Sequence, residues 1–267
     1  MALCFSSLNS GSNANCYYAG TRDSGLLIDA GLSCRETEKR MKSLGLPMEN
    51  LRGIFISHEH SDHIYGLPGL VKKYRLPVFI TAKTLNSLPF SLEEELVRPF
   101  SHGKKIVLGG LAVTPFRKNH DAADPHSFIV SAYGIQLGVL TDIGYPCKHV
   151  IRYFSRCDAA FLEANYCEQM LEKGDYPWPL KQRIRGDEGH LSNAQALDLF
   201  LNYRSPSLKT LILSHLSKNN NHPDLVGSLF EPHAGNTEII VASRYEAGKL
   251  YVLEGKKKPA SQLSLFS

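Results

Sequence analysis

The sequence predicts a layered α/β sandwich built on mixed rather than purely parallel sheets. Three observations lead there. Short aliphatic runs recur along the 267 residues, and their length and content suit buried strands. Helix signatures lie between them. Strand-like segments also follow one another as hairpins early in the chain and again over 104–142, which a strict alternation of strand and helix would not give.

Taken in order, LLID (26–29) is the first aliphatic run. Ser33 and Glu36 then have the spacing of a capping box and predict a helix to about Leu44, with Gly45 and Pro47 beyond it. GIFIS (53–57), VFIT (78–81), IVSAY (129–133), LGVLTD (137–142) and DAAFLEA (158–164) are the next expected strands. Ser192 with Gln195 repeats the capping signature and opens AQALDLFLNYR. TLILS (210–214) follows, and Pro223 reads as a first-turn proline for DLVGSLF. TEIIVAS (237–243) and KLYVLE (249–254) complete the strands. The ordered body is expected to span residues 1–255, leaving a charged tail at 256–267, KKKPASQLSLFS.

Composition excludes several classes. Hydrophobic residues make up 43% and charged residues 21%, enough for a packed core and against wholesale disorder. No apolar run reaches the roughly 18 residues of a membrane helix. The opening MALCFSSLNSGSNANC lacks a basic region followed by an apolar stretch, so no signal peptide is expected. The six cysteines form no CxxC pair, which points to reduced thiols in a cytoplasm. The net charge of +4 owes three charges to Lys256, Lys257 and Lys258. With those set aside, 27 Lys and Arg face 26 Asp and Glu, so net charge gives the body no case for nucleic-acid binding.

The chemistry concentrates in GIFISHEHSDHIYGL (53–67). An apolar strand ends at Ser57, and His58, His60, Asp62 and His63 follow within six residues. Imidazole and carboxylate suit zinc, manganese or iron, and a strand end holds them rigidly. His120, Asp142 and His215 also stand at the ends of expected strands. Seven such ligands suit two divalent ions with one bridging carboxylate. His126 rivals His120, but it falls at a strand start. His102, His126, His149, His222 and His233 are therefore expected to be structural.

HxHxDH with His120, Asp142 and His215 resembles the metallo-β-lactamase-fold hydrolases, over about residues 2–254. The resemblance implies a four-layer αββα sandwich as a catalytic domain, with a dinuclear site at one edge. It implies that His58, His60 and His120 hold one metal, that Asp62, His63 and His215 hold the other, and that Asp142 bridges. Asp62 is also placed to orient or deprotonate the attacking water. LNSGSNANCYY (8–18), LLIDAGLSCRE (26–36), GHLSNAQA (189–196) and LSHLSKNNNHPDL (213–225) resemble the YycJ/WalJ proteins, a group associated with DNA exonuclease activity. Ala14 stands where that resemblance leads one to expect glycine.

Ser10, Ser12 and Asn15 lie in a small polar loop whose N–H groups could form an anion nest, or which is an ordinary turn. His190 precedes the capped helix at Ser192, and the resemblance gives it contact with the scissile phosphate, supported by Glu163. Arg183 and Arg185 either contact a nucleic-acid backbone or belong to a solvated mixed-charge loop with Asp187 and Glu188. The leading function is a 5′-to-3′ DNA exonuclease linked to replication or mismatch repair. The alternatives are a phosphodiesterase or RNase acting on RNA or small phosphodiesters, a thiolester or lactone hydrolase, and an inactive metal-binding scaffold. Finally, QLSLF resembles the peptide by which DNA polymerases and repair proteins dock on the bacterial sliding clamp. Gln262 would bond at the rim, Leu265 and Phe266 would fill an apolar pocket as anchors, and Leu263 would add contact.

Overall fold

The computed structural model describes residues 1–255, so the expected clamp-docking peptide from Gln262 to Phe266 lies outside the described residues. Numbered along the chain, the strands begin with β1 (Ala2–Asn9), β2 (Cys16–Gly20), β3 (Gly25–Ile28) and β4 (Leu51–Phe55). They continue with β5 (Val78–Ile80), β6 (Val97–Pro99), β7 (Ile106–Leu108), β8 (Leu111–Arg117) and β9 (His126–Ala132). The last five are β10 (Ile135–Leu140), β11 (Ala159–Glu163), β12 (Thr210–Ser214), β13 (Glu238–Val241) and β14 (Tyr251–Glu254). The helices begin with α1 (Cys34–Ser43), α2 (Ser61–Ile64), α3 (Leu67–Tyr74), α4 (Ala82–Asn86) and α5 (Lys148–Phe154). They end with α6 (Glu168–Lys173), α7 (Trp178–Arg185), α8 (Asn193–Tyr203) and α9 (Pro223–Phe230).

The strands form two seven-stranded sheets. The first runs β14-β1-β2-β3-β4-β5-β6 and the second β13-β12-β11-β10-β9-β8-β7. Both are mixed. β1, β2 and β3 pair antiparallel, whereas β3 to β6 pair parallel. In the second sheet β10 to β13 are parallel and β7 to β10 antiparallel.

Strand alternation builds the layers. Phe5, Tyr17 and Phe55 of the first sheet face Phe128, Val130 and Phe161 of the second in one buried cluster. Phe5 meets Phe161 edge-on at 5.9 Å, and Phe55 stacks on Phe79 at 4.3 Å. On the opposite face, Ile54 of β4 and Ile56 just beyond it instead meet Met41 of α1 and Leu67 and Leu70 of α3. Leu211 and Leu213 of β12 likewise meet Phe154 of α5, Phe200 of α8 and Phe230 of α9. The order is therefore helix, sheet, sheet, helix. Burying each of these phenylalanines contributes roughly 1.5–3 kcal/mol.

The helix starts follow the sequence chemistry. Ser33 Oγ accepts from Glu36 N at 3.2 Å, and Ser192 and Gln195 form a full reciprocal capping box. Pro223 occupies the first turn of α9. Some boundaries differ from expectation. The IVSAY strand stops at Ala132 rather than Tyr133, because Tyr133 (φ 52°) and Gly134 (φ 78°) turn the β9–β10 hairpin in left-handed conformation. KLYVLE shortens to β14, which pairs with β1 from Ala2↔Glu254 to Phe5↔Tyr251. Ala14 is absent from the positive-φ residues, so the loop needs no glycine there. The six cysteines are all free. Among the described residues, no helix is long and apolar enough to cross a membrane.

Candidate metal centre

One edge of the sandwich collects the ends of β3, β4, β8, β10, β11 and β12. Beyond them come Asp29, the segment 57–63, His120, Asp142, Glu163 at the last position of β11, and His215. Asp29, Asp142 and His215 adopt left-handed φ values of 61°, 55° and 57°. Aspartate and histidine tolerate that region better than most residues, and such outliers gather at functional sites. The 58–63 turn is laced in place by backbone bonds from Asn15 N to Asp62 O (2.7 Å) and from Ala30 N to His63 O (2.7 Å). A side chain on Gly31 would stand 1.8 Å from Asp62 O, so only glycine allows this approach.

The seven expected ligands converge. His58, His60 and His120 offer ligand atoms within 4.8 Å of one another, as do His58, His63 and Asp142, and also Asp62, His63 and His215. Each ring is set by a bond at its other nitrogen. His63 Nδ1 donates to Asp29 Oδ2 at 2.7 Å, His215 Nδ1 to Glu163 Oε1 at 2.8 Å, and His120 Nδ1 to Gly189 O at 3.0 Å. His58 Nδ1 lies 2.8 Å from Ser57 Oγ. His60 is reversed: its Nε2 donates to Asp121 O at 3.2 Å, leaving Nδ1 for the cluster. His58 Nε2, His215 Nε2 and Asp142 Oδ2 are buried without a hydrogen-bond partner. A buried unpaired polar atom costs about 1–3 kcal/mol. Each of the three belongs to a cluster of imidazole and carboxylate donors within reach of one another, and these sets fit divalent metal ions.

The electrostatics agree. Burial works to raise the carboxyls of Asp62, Asp142 and Glu163. His63 beside Asp62, His215 beside Asp142 and His190 beside Glu163 overcome it, so all three ionise well below the usual range, Glu163 at about 2. Burial keeps His58 far below its ordinary value and holds His120 to about 4, the neutral form that a ligand needs. Burial opposes charge on His63 and His215 as well, yet Asp142 lifts His63 well above the usual value and His215 to about 10. The concentrated carboxylate field draws positive charge, which metal ions supply.

Two groups that sequence reasoning passed over complete the centre. Asp29 is fully buried and accepts from His63 Nδ1, Ser57 N and Ser57 Oγ (2.7, 2.8 and 2.8 Å). Lys118 is buried too; its Nζ donates to Thr141 O at 2.6 Å and lies 3.8 Å from Asp142 Oδ2. LLID does end in an acid, but only its position beside His63 reveals a role. A lysine in FRKNH carries no sign of burial.

Of the other expected residues, Glu163 and His190 are together. Glu163 Oε1 accepts from both His190 Nδ1 and His215 Nδ1 at 2.8 Å, and Oε2 accepts from Ile143 N and Leu191 N at 2.7 and 3.1 Å. His190 lines a cleft of about 230 Å³ with Asp62, Asp142 and His215, roofed by Leu180, Arg183 and Ile184 of α7. The expected phosphate loop divides. Ser12 lines this cleft. Ser10 Oγ instead accepts from His215 N at 2.7 Å, and Asn15 Nδ2 donates to Asp62 Oδ2 at 2.9 Å, so both brace the cluster. Arg183 pairs with Asp121 and Arg185 with Glu172. His126 stays outside the cluster, its ring 5.2 Å from Phe100.

Comparison with known proteins gives a consistent answer. A beta-lactamase superfamily domain matches residues 25–216. The exodeoxyribonuclease YycJ of Bacillus anthracis is 36% identical over 230 residues, 84% of this chain and 86% of that protein. The exodeoxyribonuclease WalJ of Streptococcus pneumoniae is 33% identical over 226 residues, 83% and 84% respectively. The crystal structure of the metallo-beta-lactamase fold protein YhfI from Bacillus subtilis superposes with a TM-score of 0.71, covering 94% of this chain and 99% of that one, at 16% identity. Sheets, ligand cluster and relatives thus agree that the chain belongs to the beta-lactamase superfamily, within its YycJ/WalJ group, and is a metal-dependent hydrolase.

Proposed function

We propose that the protein is a phosphodiesterase that degrades DNA from its ends in the 5′-to-3′ direction, using two divalent ions. One observation carries the reading. His190 stands beside the ligands, its ring 5.1 Å from His120 and 5.2 Å from His215, with Nδ1 committed to buried Glu163 and Nε2 left for the cleft. His190 also lies within ligand range of Asp142, Glu163 and His215, but its Nδ1 bond to Glu163 and its place on the cleft suit contact with the substrate. The relatives named as exodeoxyribonucleases support DNA as the substrate.

His58, His60 and His120 would hold one ion, Asp62, His63 and His215 the other, with Asp142 between them; zinc, manganese and iron all suit these donors. When bound, the ions lower the pKa of water and offset charge on the phosphate. Asp62, ionised and held by Asn15, accepts the proton of the attacking water. His190, braced by Glu163 at Nδ1, is placed to donate a proton from Nε2 to the departing oxygen. The test is incubation of labelled single- and double-stranded DNA and RNA, with 5′-phosphate or 5′-hydroxyl ends, in manganese or zinc. Nucleotide release from DNA 5′ ends is the expected result. Digestion of RNA alone, or cleavage of small diesters alone, overturns it.

The same reading extends to a partner. Gln262, Leu263, Leu265 and Phe266 would tether the enzyme to the bacterial sliding clamp in the cytoplasm and deliver it to DNA during replication or mismatch repair. A peptide of residues 256–267 is expected to bind purified clamp with micromolar affinity, since ordering a free segment weakens binding. The Leu265→Ala, Phe266→Ala double variant is expected not to bind. Unchanged clamp binding after deletion of 261–267 excludes the tail as the docking element.

A further inference from the structure

Past Ser217, the metal cleft adjoins a second cavity of about 340 Å³, and Ser217 lines both. The other flank is continuous too. Ser12 lines the metal cleft, and its neighbour Asn13 is bonded to Arg244, which lines the second cavity. Asn13 Nδ2 donates to Arg244 O at 3.1 Å, and Arg244 Nη2 donates to Asn13 Oδ1 at 3.2 Å.

The second cavity has a distinct chemistry. Leu216, Val241 and Ala242 supply an apolar floor, Lys218 and Arg244 supply cations, and the lining contains no carboxylate. Among the described residues, Lys218 has no ion pair or hydrogen bond. Tyr245 stands at the cavity with 75% of its surface exposed. Its backbone is nonetheless held, because Arg40 Nη2 donates to Tyr245 O at 2.8 Å and Tyr245 N donates to Ser243 Oγ at 3.1 Å. A fixed loop therefore presents a bare aromatic face beside two cations that meet no carboxylate in the cavity.

We propose that this cavity is a nucleotide subsite for single-stranded DNA. It takes the nucleotide adjoining the scissile phosphate, with its base stacked on Tyr245 and its phosphate between Lys218 and Arg244. The inference rests on the nucleic-acid reading above. Stacking on an aromatic side chain within a cationic groove is the general mode of single-strand binding, and the volume falls in the range of small-ligand pockets. A base must leave its duplex partner to reach Tyr245, so single-stranded or frayed ends are the preferred substrate.

The experiment compares kcat/KM of the metal-loaded, full-length enzyme for an oligothymidylate and for bis(p-nitrophenyl) phosphate, which is too small to reach the subsite. Tyr245→Ala is expected to lower the oligothymidylate-to-diester ratio on the order of tenfold, mainly through KM, and Tyr245→Phe to restore it. Lys218→Ala and Arg244→Ala are each expected to flatten the dependence of log(kcat/KM) for oligothymidylate on log salt by about 0.7. An unchanged ratio and slope, with oligothymidylate still degraded, overturn the subsite alone. An unmodified enzyme that cleaves the small diester and no oligonucleotide overturns the nucleic-acid reading and the subsite together.

Discussion

Glu163 serves two histidines with one oxygen, and this arrangement separates metal binding from proton transfer. Its bond to His215 directs a ligand, while its bond to His190 directs an imidazole that is not one of the seven ligands. His190→Ala should therefore keep its metal content, measured by elemental analysis, and lower kcat by ~10²-fold, the usual scale for losing one proton donor. Loss of metal from that variant would reassign His190 to ligation. Glu163 also bears on acid stability. It ionises at about 2 when folded against an ordinary 4.5, so its contribution is complete above pH 4.5 and fades as pH falls toward 2. Metal-free Glu163→Gln protein should lose stability less steeply across that window in urea titrations. HxHxDH was legible in the sequence because its donors are contiguous, and His120, Asp142 and His215 because they close aliphatic runs. Asp29, Lys118, Ser10 and Asn15 acquire their roles only by contact with residues far along the chain, as when Ser10 reaches His215 N.

At the level of elements, the helix starts were the readable part, since a capping box is local chemistry written in four residues. α8 shows why its cap matters beyond stability. Ser192 and Gln195 anchor the turn in which Leu191 N donates to Glu163 and His190 donates beside it. Ser192→Ala should cost about 1 kcal/mol of stability, read from urea unfolding, and should also loosen His190, so that kcat falls while metal content holds. An unchanged kcat would mean that the strand-side contacts alone fix the imidazole. α7 was not legible for the opposite reason. It buries no residue, so WPLKQRIR shows no apolar stripe, although it roofs the metal cleft and is tied to the ligand loop by Arg183 and Asp121. The β9–β10 boundary was misjudged because Tyr133 takes a left-handed turn position that an aromatic seldom occupies.

Across the whole molecule, the donors come from both sheets. The segment 58–63 follows β4 of the first sheet, whereas His120, Asp142 and His215 follow β8, β10 and β12 of the second. Metal ions at the cluster therefore join two layers that are otherwise held mainly by the apolar cluster between them. Removing metal with a chelator should lower the melting temperature by roughly 5–10 °C when ions had been present at about a hundred times their dissociation constant. Calorimetry before and after chelation checks this, and an unchanged melting temperature would mean that the cluster binds no ion tightly. The division of ligands also bears on biosynthesis. Each ligand group that includes the 58–63 segment needs a partner from the second sheet, and the last partner, His215, lies beyond β12. A nascent chain still on the ribosome thus carries HxHxDH long before it carries a complete site. Hydrolytic competence arrives only after both layers have been translated and closed on each other, which spares the cell a partly made hydrolase.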